Sequence, residues 1–295
     1  MTVTFDRHME RIAAGERLAP ADVEALASTP DILALGMLAD ARRRQLHGAR
    51  TTFVRVAACP FDTPLAERVP PAAREIRLTG SPESLAVTLT AIETARSVAG
   101  ERTVTAFSWA DVERLAGGST PRAVLESLRR AGLDALGTLA LDEAADLRRA
   151  IADLQAAGFA HVRLSVSRSP AADRTALLLR AGELQEEFGI IRALDPLPAV
   201  LQAFRPTTGY EDVKMVAIAR LAAPAISSIQ VDWTRYGPKL AQVALTFGAD
   251  DIYGVSASEE APEGRRRAPL EEIRRNIEAA GFEPVERDGA FVPVA

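Results

Sequence analysis

Eight short apolar runs, most of them followed by a stretch with helical spacing, constrain this chain more than any other feature. The runs fall at 52–57 (TFVRVA), 75–79 (EIRLT), 103–107 (TVTAF), 135–139 (ALGTL), 161–166 (HVRLSV), 190–194 (IIRAL), 228–231 (SIQV) and 251–255 (DIYGV). Helical patterns occupy 83–98, 121–131, 142–157, 171–188, 210–221, 238–247 and 270–280. Strands separated by helices pair in parallel, because a parallel connection needs a crossover of a dozen or more residues. Eight such units predict an α/β chain folded as a (β/α)₈ TIM-type barrel. The alternative is an open doubly wound sheet. No G-x-G-x-x-G opens a strand-to-helix turn, so dinucleotide binding has no support.

The rhythm breaks once. Between the first two runs lies CPFDTPLAERVPPAAR, with Pro60, Pro64, Pro70 and Pro71. A proline inside a helix costs about 3 kcal/mol or more, so the first crossover helix is expected to be missing or reduced to a turn. Residues 1–50 read as an N-terminal helical extension, with Ile32, Leu35, Leu38 and Leu46 at helical spacing and Gly48 as the stop. Residues 51–295 then form one barrel domain. The basic cluster Arg42-Arg43-Arg44 reads as a solvated helix end that complements the dipole.

A chain of 295 residues with 47% apolar content can bury a full core. A net charge of −5 argues against a nucleic-acid partner, and no apolar run reaches the length of a membrane span. The first residues lack the apolar segment of a secretion signal, so a cytoplasmic location is expected. His8, His47 and His161 are far apart and Cys59 is the only cysteine, which argues against a metal site.

In such a barrel the chemistry sits at the C-terminal strand ends. Polar or aromatic residues there are Thr79, Ser108, Trp109, Ser165, Arg168, Asp195, Gln230, Asp232, Trp233, Tyr253, Ser256 and Glu259. Ser165, Gln230, Asp232 and Glu259 offer hydrogen bonds to a ligand, while Trp109 and Trp233 offer stacking faces. Gln230 and Asp232 alternate with Ile229 and Val231, which puts both on one face of their strand. No residue is assigned a catalytic role. Each candidate also has a plainer reading. Asp195 before Pro196 opens a turn, Asp250 caps or turns, the tryptophans pack, and Glu259 is a solvated loop residue. Cys59, just after the first strand, reads either as a thiolate nucleophile or as a small hydrophobe with no chemical role, and Arg287 makes a structural contact.

Several segments carry a resemblance in their order and spacing: LADARRRQLHGARTTFV, LRRAGLDAL, RAGELQEEFG, PTTGYEDVKMVAIARL, IQVDWTRYGPKLAQVALTFGADDIYG and AAGFEPVERDGAF. Together the chain resembles the radical S-adenosylmethionine enzymes of the futalosine route to menaquinone, aminofutalosine synthase and dehypoxanthine futalosine cyclase, and their deazaflavin-forming cousins. That resemblance implies a barrel and a CxxxCxxC loop holding a [4Fe–4S] cluster after the first strand. This chain departs from it, since Cys59 cannot supply three thiolates. Where the family has its Gly-Gly-Glu-type contact to the methionine moiety, this chain has Leu78-Thr79-Gly80-Ser81. No cluster and no S-adenosylmethionine are therefore expected. Two functions remain open. One is a pocket that binds a futalosine-like or purine-nucleoside compound without radical chemistry. The other is a non-catalytic pseudoenzyme partner of a cluster-bearing homologue, with a homodimer as a further possible assembly.

Overall fold

The computed structural model describes residues 2–61, 65, 69–168, 171–200, 207–261, 263–264 and 267–294. Three helices come first: α1 (Thr2–Ala13), α2 (Pro20–Ala27) and α3 (Ile32–His47). Strands β1 (Arg50–Pro60) and β2 (Glu75–Thr79) follow in direct succession, then α4 (Leu85–Ala99), β3 (Thr103–Ser108), α5 (Trp109–Ala116) and α6 (Pro121–Arg130). Next come β4 (Ala135–Ala140), α7 (Leu147–Ala156), β5 (Val162–Val166), α8 (Ala171–Phe188), β6 (Ile191–Pro198) and α9 (Gly209–Ala222). The chain finishes with β7 (Ser228–Asp232), α10 (Trp233–Leu245), β8 (Asp251–Ser256), α11 (Pro269–Ala279) and β9 (Glu283–Glu286).

Strands β2 to β8 pair in sequence order, and β1 pairs in parallel with both β8 and β2. The sheet is therefore a closed eight-stranded parallel barrel, as the alternation of runs and helices predicts. The expected first crossover also holds: no helix occurs among the described residues between β1 and β2. Pro64 of that segment lies outside the described residues. Leu65, 4% exposed, and Ala73, 1% exposed, join the main apolar cluster together with Ile76 and Leu78 of β2. Loop side chains thus cover wall that a crossover helix would otherwise bury.

Two elements carry no clear sequence signal. Helix α5 is short, and its start depends on a capping box between Ser108 and Asp111. Strand β9 is the more consequential. Thr52 and Phe53 of β1 pair with β8 on one edge and with β9 on the other. Further along β1, residues Val56 to Pro60 take β2 on that second edge. The last strand therefore fills the seam below β2, and the chain after it runs across the N-terminal end of the barrel. There a Cβ on Gly289 would meet Thr103 of β3 at 2.6 Å, and Phe291 lies edge-on to His161 just before β5. Only a residue without a side chain allows so close a crossing.

One member of the arginine cluster of α3 departs from the expected solvated helix end, while Arg44 stays exposed in the last turn and pairs with Asp40. Arg43 is fully buried, donating to the carbonyls of Ala249, Gly48 and Arg50 and to Thr51 Oγ1. Its guanidinium stacks 3.7 Å from the Phe282 ring centroid. Helical spacing places one member of any three consecutive residues toward the core, and here that member caps the loop into β1. Helix α3 also packs along α9, so the N-terminal helices share the barrel's core.

Candidate binding site at the barrel mouth

The lumen is filled by charged and aromatic side chains in layers. Tyr253 of β8 lies between two guanidiniums, Arg77 at 4.0 Å and Arg163 at 3.6 Å from its ring centroid. Arg77 pairs with Glu75 at 2.8 Å, and Thr105 donates to the same carboxylate. Arg163 donates to Gln230 Oε1 at 2.7 Å, and Gln230 donates to Asp251 at 2.7 Å. Asp251 receives both Nε and Nη2 of Arg287 from the segment after β9. Arginine next to Asp251 holds its carboxyl below the usual range against the opposing effect of burial. Every charge in the lower lumen has an opposite partner within the barrel, as buried charges require.

Toward the C-terminal mouth the network thins. Asp195, 1% exposed, has Arg163 at 3.5 Å and Arg235 at 3.8 Å, and its Oδ1 accepts from the Leu197 amide. Burial pushes its carboxyl up to about 6, against the arginines that lower it. Above it, Thr138 and Ser165 share a hydrogen bond of 2.5 Å, and Ser167 donates to Glu143. Trp109, Ser165, Thr138 and Glu143 line a cavity of about 70 Å³ between β3, β4 and β5. Phe107, at φ 57°, turns β3 into Ser108 and sets Trp109 on that cavity. A left-handed phenylalanine is a local strain of the kind that accumulates beside sites.

The sequence candidates separate into three groups. Ser165 and Trp109 meet at the cavity. Gln230 and Asp232 do lie on the lumen face of β7, but neither polar group is idle. Gln230 belongs to the internal network, and Asp232 caps α10 by accepting from the Thr234 and Arg235 amides. That cap starts a first turn at Trp233, and a non-helical break at Gly237, φ 76°, separates it from the longer stretch that opens at Pro238 as expected. Trp233 is half-buried against the main apolar cluster. Glu259 is exposed, in a groove with Arg55, Leu270 and Arg274. Cys59 lies within β1, 1% exposed, inside the main apolar cluster.

Sequence reasoning missed Arg174 and Asp212, which sit in the first turns of α8 and α9. Arg174 is 1% exposed, and its Nε and Nη1 have no hydrogen-bond partner among the described residues. Asp212 is 4% exposed and Oδ1 is likewise unpartnered, while Oδ2 accepts from Thr207. The two influence each other electrostatically, with Tyr236 and Asp142 also near Arg174, but are too far apart to pair. Desolvation lowers the Arg174 pKa and raises that of Asp212. Helical patterning gives no hint of this, because Arg and Asp near a helix start read as solvated.

The half of the lumen network that comes from the last third of the chain, with Gln230, Asp232, Asp251 and Arg287, coincides with a known sequence family. Residues 196–293 match the family described as the CofH/MqnC C-terminal region. The chain is related to two kinds of enzyme that carry that likeness. It is 38% identical over 127 residues to 5-amino-6-(D-ribitylamino)uracil–L-tyrosine 4-hydroxyphenyl transferase of Archaeoglobus fulgidus, covering 39% of this chain and 37% of that one. It is 26% identical to aminodeoxyfutalosine synthase of Thermus thermophilus across 96% of this chain and 94% of that enzyme. The matches take in 37% and 55% of the first two curated relatives. Among solved structures, the maturase HydG from Carboxydothermus hydrogenoformans superposes with a TM-score of 0.69 over 97% of this chain and 80% of that one, at 14% identity. That likeness concerns the fold. The segment that matches this family thus supplies β7, β8 and β9 to a barrel whose other wall supplies Arg77 and Arg163.

Proposed function

We propose that this chain is a relative of the futalosine-pathway and deazaflavin-forming enzymes that binds a nucleoside-type ligand at the barrel mouth without radical chemistry. The observation that carries the ligand reading is the pair Arg174 and Asp212. A buried guanidinium and a buried carboxylate with unpartnered atoms each cost on the order of 1–3 kcal/mol or more until a partner arrives. A ligand with both acceptors and donors, such as ribose hydroxyls and a purine edge, meets both demands. Thr138, Ser165 and Trp109 add hydrogen bonds and a ring face nearby. The cavity of about 70 Å³ beside them is well below the 300–1,000 Å³ of a typical small-molecule pocket, so it suits one edge of such a ligand.

The non-radical part of the reading rests on sulfur. A [4Fe–4S] cluster of this enzyme class takes three thiolates from one loop. The sequence has one cysteine, and that cysteine is in a strand with its side chain in the apolar core. No group of three His, Cys, Asp or Glu side chains suited to a metal occurs among the described residues. These residues do not fit the cluster.

A second reading, a non-catalytic partner of a cluster-bearing homologue, is favoured by the internally satisfied lumen. It is also favoured by Leu33 and Met37, 72% and 58% exposed on one face of α3. Calorimetric titration with futalosine, aminofutalosine, dehypoxanthine futalosine, adenosine and S-adenosylmethionine separates the two. Binding that is lost in Arg174→Met and Asp212→Asn supports the ligand reading. No heat with any of them, together with association with a cluster-bearing homologue, supports the partner reading.

A further inference from the structure

At the end of the barrel opposite the mouth, α3, β1, β6, β7 and the segment after β9 surround a cavity of about 190 Å³. Its charged lining among the described residues is His47, Arg50, Arg192, Arg287 and one carboxylate, Asp250. Two of these charges are already matched. Asp250 is paired with the buried Arg220, and Arg287 is paired with Asp251. His47 Nε2 lies 2.8 Å from the Ser227 carbonyl and 3.5 Å from Asp250, and burial holds its pKa below the ordinary imidazole value. What remains is Arg50 and Arg192. Both are exposed, and neither has an ion-pair partner among the described residues. In a chain of net charge −5, this rim carries two uncompensated guanidiniums around a concave space.

We propose that this cavity is an anion site for a small phosphate or phosphomonoester. The volume exceeds that of several waters, at about 30 Å³ each, and falls short of a drug-sized pocket. Paired guanidiniums suit phosphate because each presents parallel N–H donors to two oxygens. Ser227 and Ser228 also line the wall, with their hydroxyls donating to the Arg192 carbonyl and to Asp250. The site also touches Val285, Arg287 and Phe291, which belong to the segment closing the barrel floor. A bound anion therefore ties that segment to β1 and β6 and stabilises the closed floor.

The test is thermal unfolding and isothermal titration of the full chain with inorganic phosphate, at constant ionic strength set by chloride. The expected result is a saturable rise in Tm with phosphate. Arg192→Glu and Arg50→Glu should each weaken binding by roughly tenfold or more, the loss of one charge-assisted contact. Both positions are exposed, so the variants should keep the wild-type Tm in chloride alone. Arg275→Glu on α11, the same charge change away from the cavity, should keep the phosphate response. Phosphomonoester binding tighter than phosphate would assign an organic ligand, and equal binding would assign the free anion. An equal Tm rise in Arg192→Glu, a non-saturable rise, or the same effect from chloride would mean an adventitious ion only and would overturn the proposal.

Discussion

Single buried charges decide much of this structure. Arg287 and Asp251 are 1% and 0% exposed, and removing one leaves the other uncompensated. Arg287→Met is expected to lower unfolding free energy by about 3–5 kcal/mol, measured by urea denaturation. A cost below 1 kcal/mol would show that water reaches Asp251 through the floor. Asp195 offers a pH test with a definite sign. Its carboxyl rises from an ordinary 3.8 to about 6 because burial disfavours the charge. Between those values the folded chain holds a proton that the unfolded chain has released, so this group's contribution to stability falls as pH rises through that window. Asp195→Asn should therefore gain about 2–3 kcal/mol relative to wild type between about pH 4 and pH 7. A pH-independent difference would place the Asp195 pKa at its unfolded value. None of these side chains announces its burial in sequence. Arg43 reads as a surface residue because arginine is rarely buried, and only the carbonyls around the start of β1 make its burial possible, whereas the structural contact expected of Arg287 is its pairing with Asp251.

Among the elements, the strands were the most legible. Their apolar runs survive in any register, since a parallel barrel strand is covered on both faces. The proline-rich first crossover was legible for an equally local reason, the incompatibility of proline with a helix interior. What replaced the helix was not. Leu65 covers barrel wall from a loop, and its truncation in Leu65→Ala is expected to cost about 2–4 kcal/mol by chemical denaturation. A neutral result would mean that the wall beside β2 is covered by other side chains. Strand β9 escaped detection because it has four residues, Glu283–Glu286, and only one of them, Val285, carries a strand-forming apolar side chain. Its pairing is set by the free lower edge of β1, a tertiary feature. The helical stretch opening at Pro238 was legible because proline is a strong N-terminal signal, whereas the turn before it was not, since its cap Asp232 also reads as a strand-end site residue.

For the molecule as a whole, sequence periodicity leads to a closed barrel, and the barrel brings two unlike ends into being. The mouth holds strained Phe107, the Thr138–Ser165 pair, and Arg174 and Asp212, each with atoms unpartnered among the described residues. The floor is sealed by the C-terminal segment. Of the candidate residues chosen from strand ends, Ser165 and Trp109 share the mouth cavity, whereas Gln230 and Asp232 are engaged in holding the fold. Period-two geometry tells which face a residue takes but not whether a neighbour already satisfies it. This has a practical consequence. Asp232→Ala should cost about 1 kcal/mol through loss of the α10 cap, so a binding defect in that variant does not by itself locate a ligand.

The proposal that this chain works without a cluster is tested most directly by anaerobic reconstitution with iron, sulfide and reductant. Iron and sulfide quantification with visible absorbance should find no stoichiometric cluster in the purified chain, and no reductive cleavage of added S-adenosylmethionine. A full [4Fe–4S] complement per chain with S-adenosylmethionine turnover would contradict it.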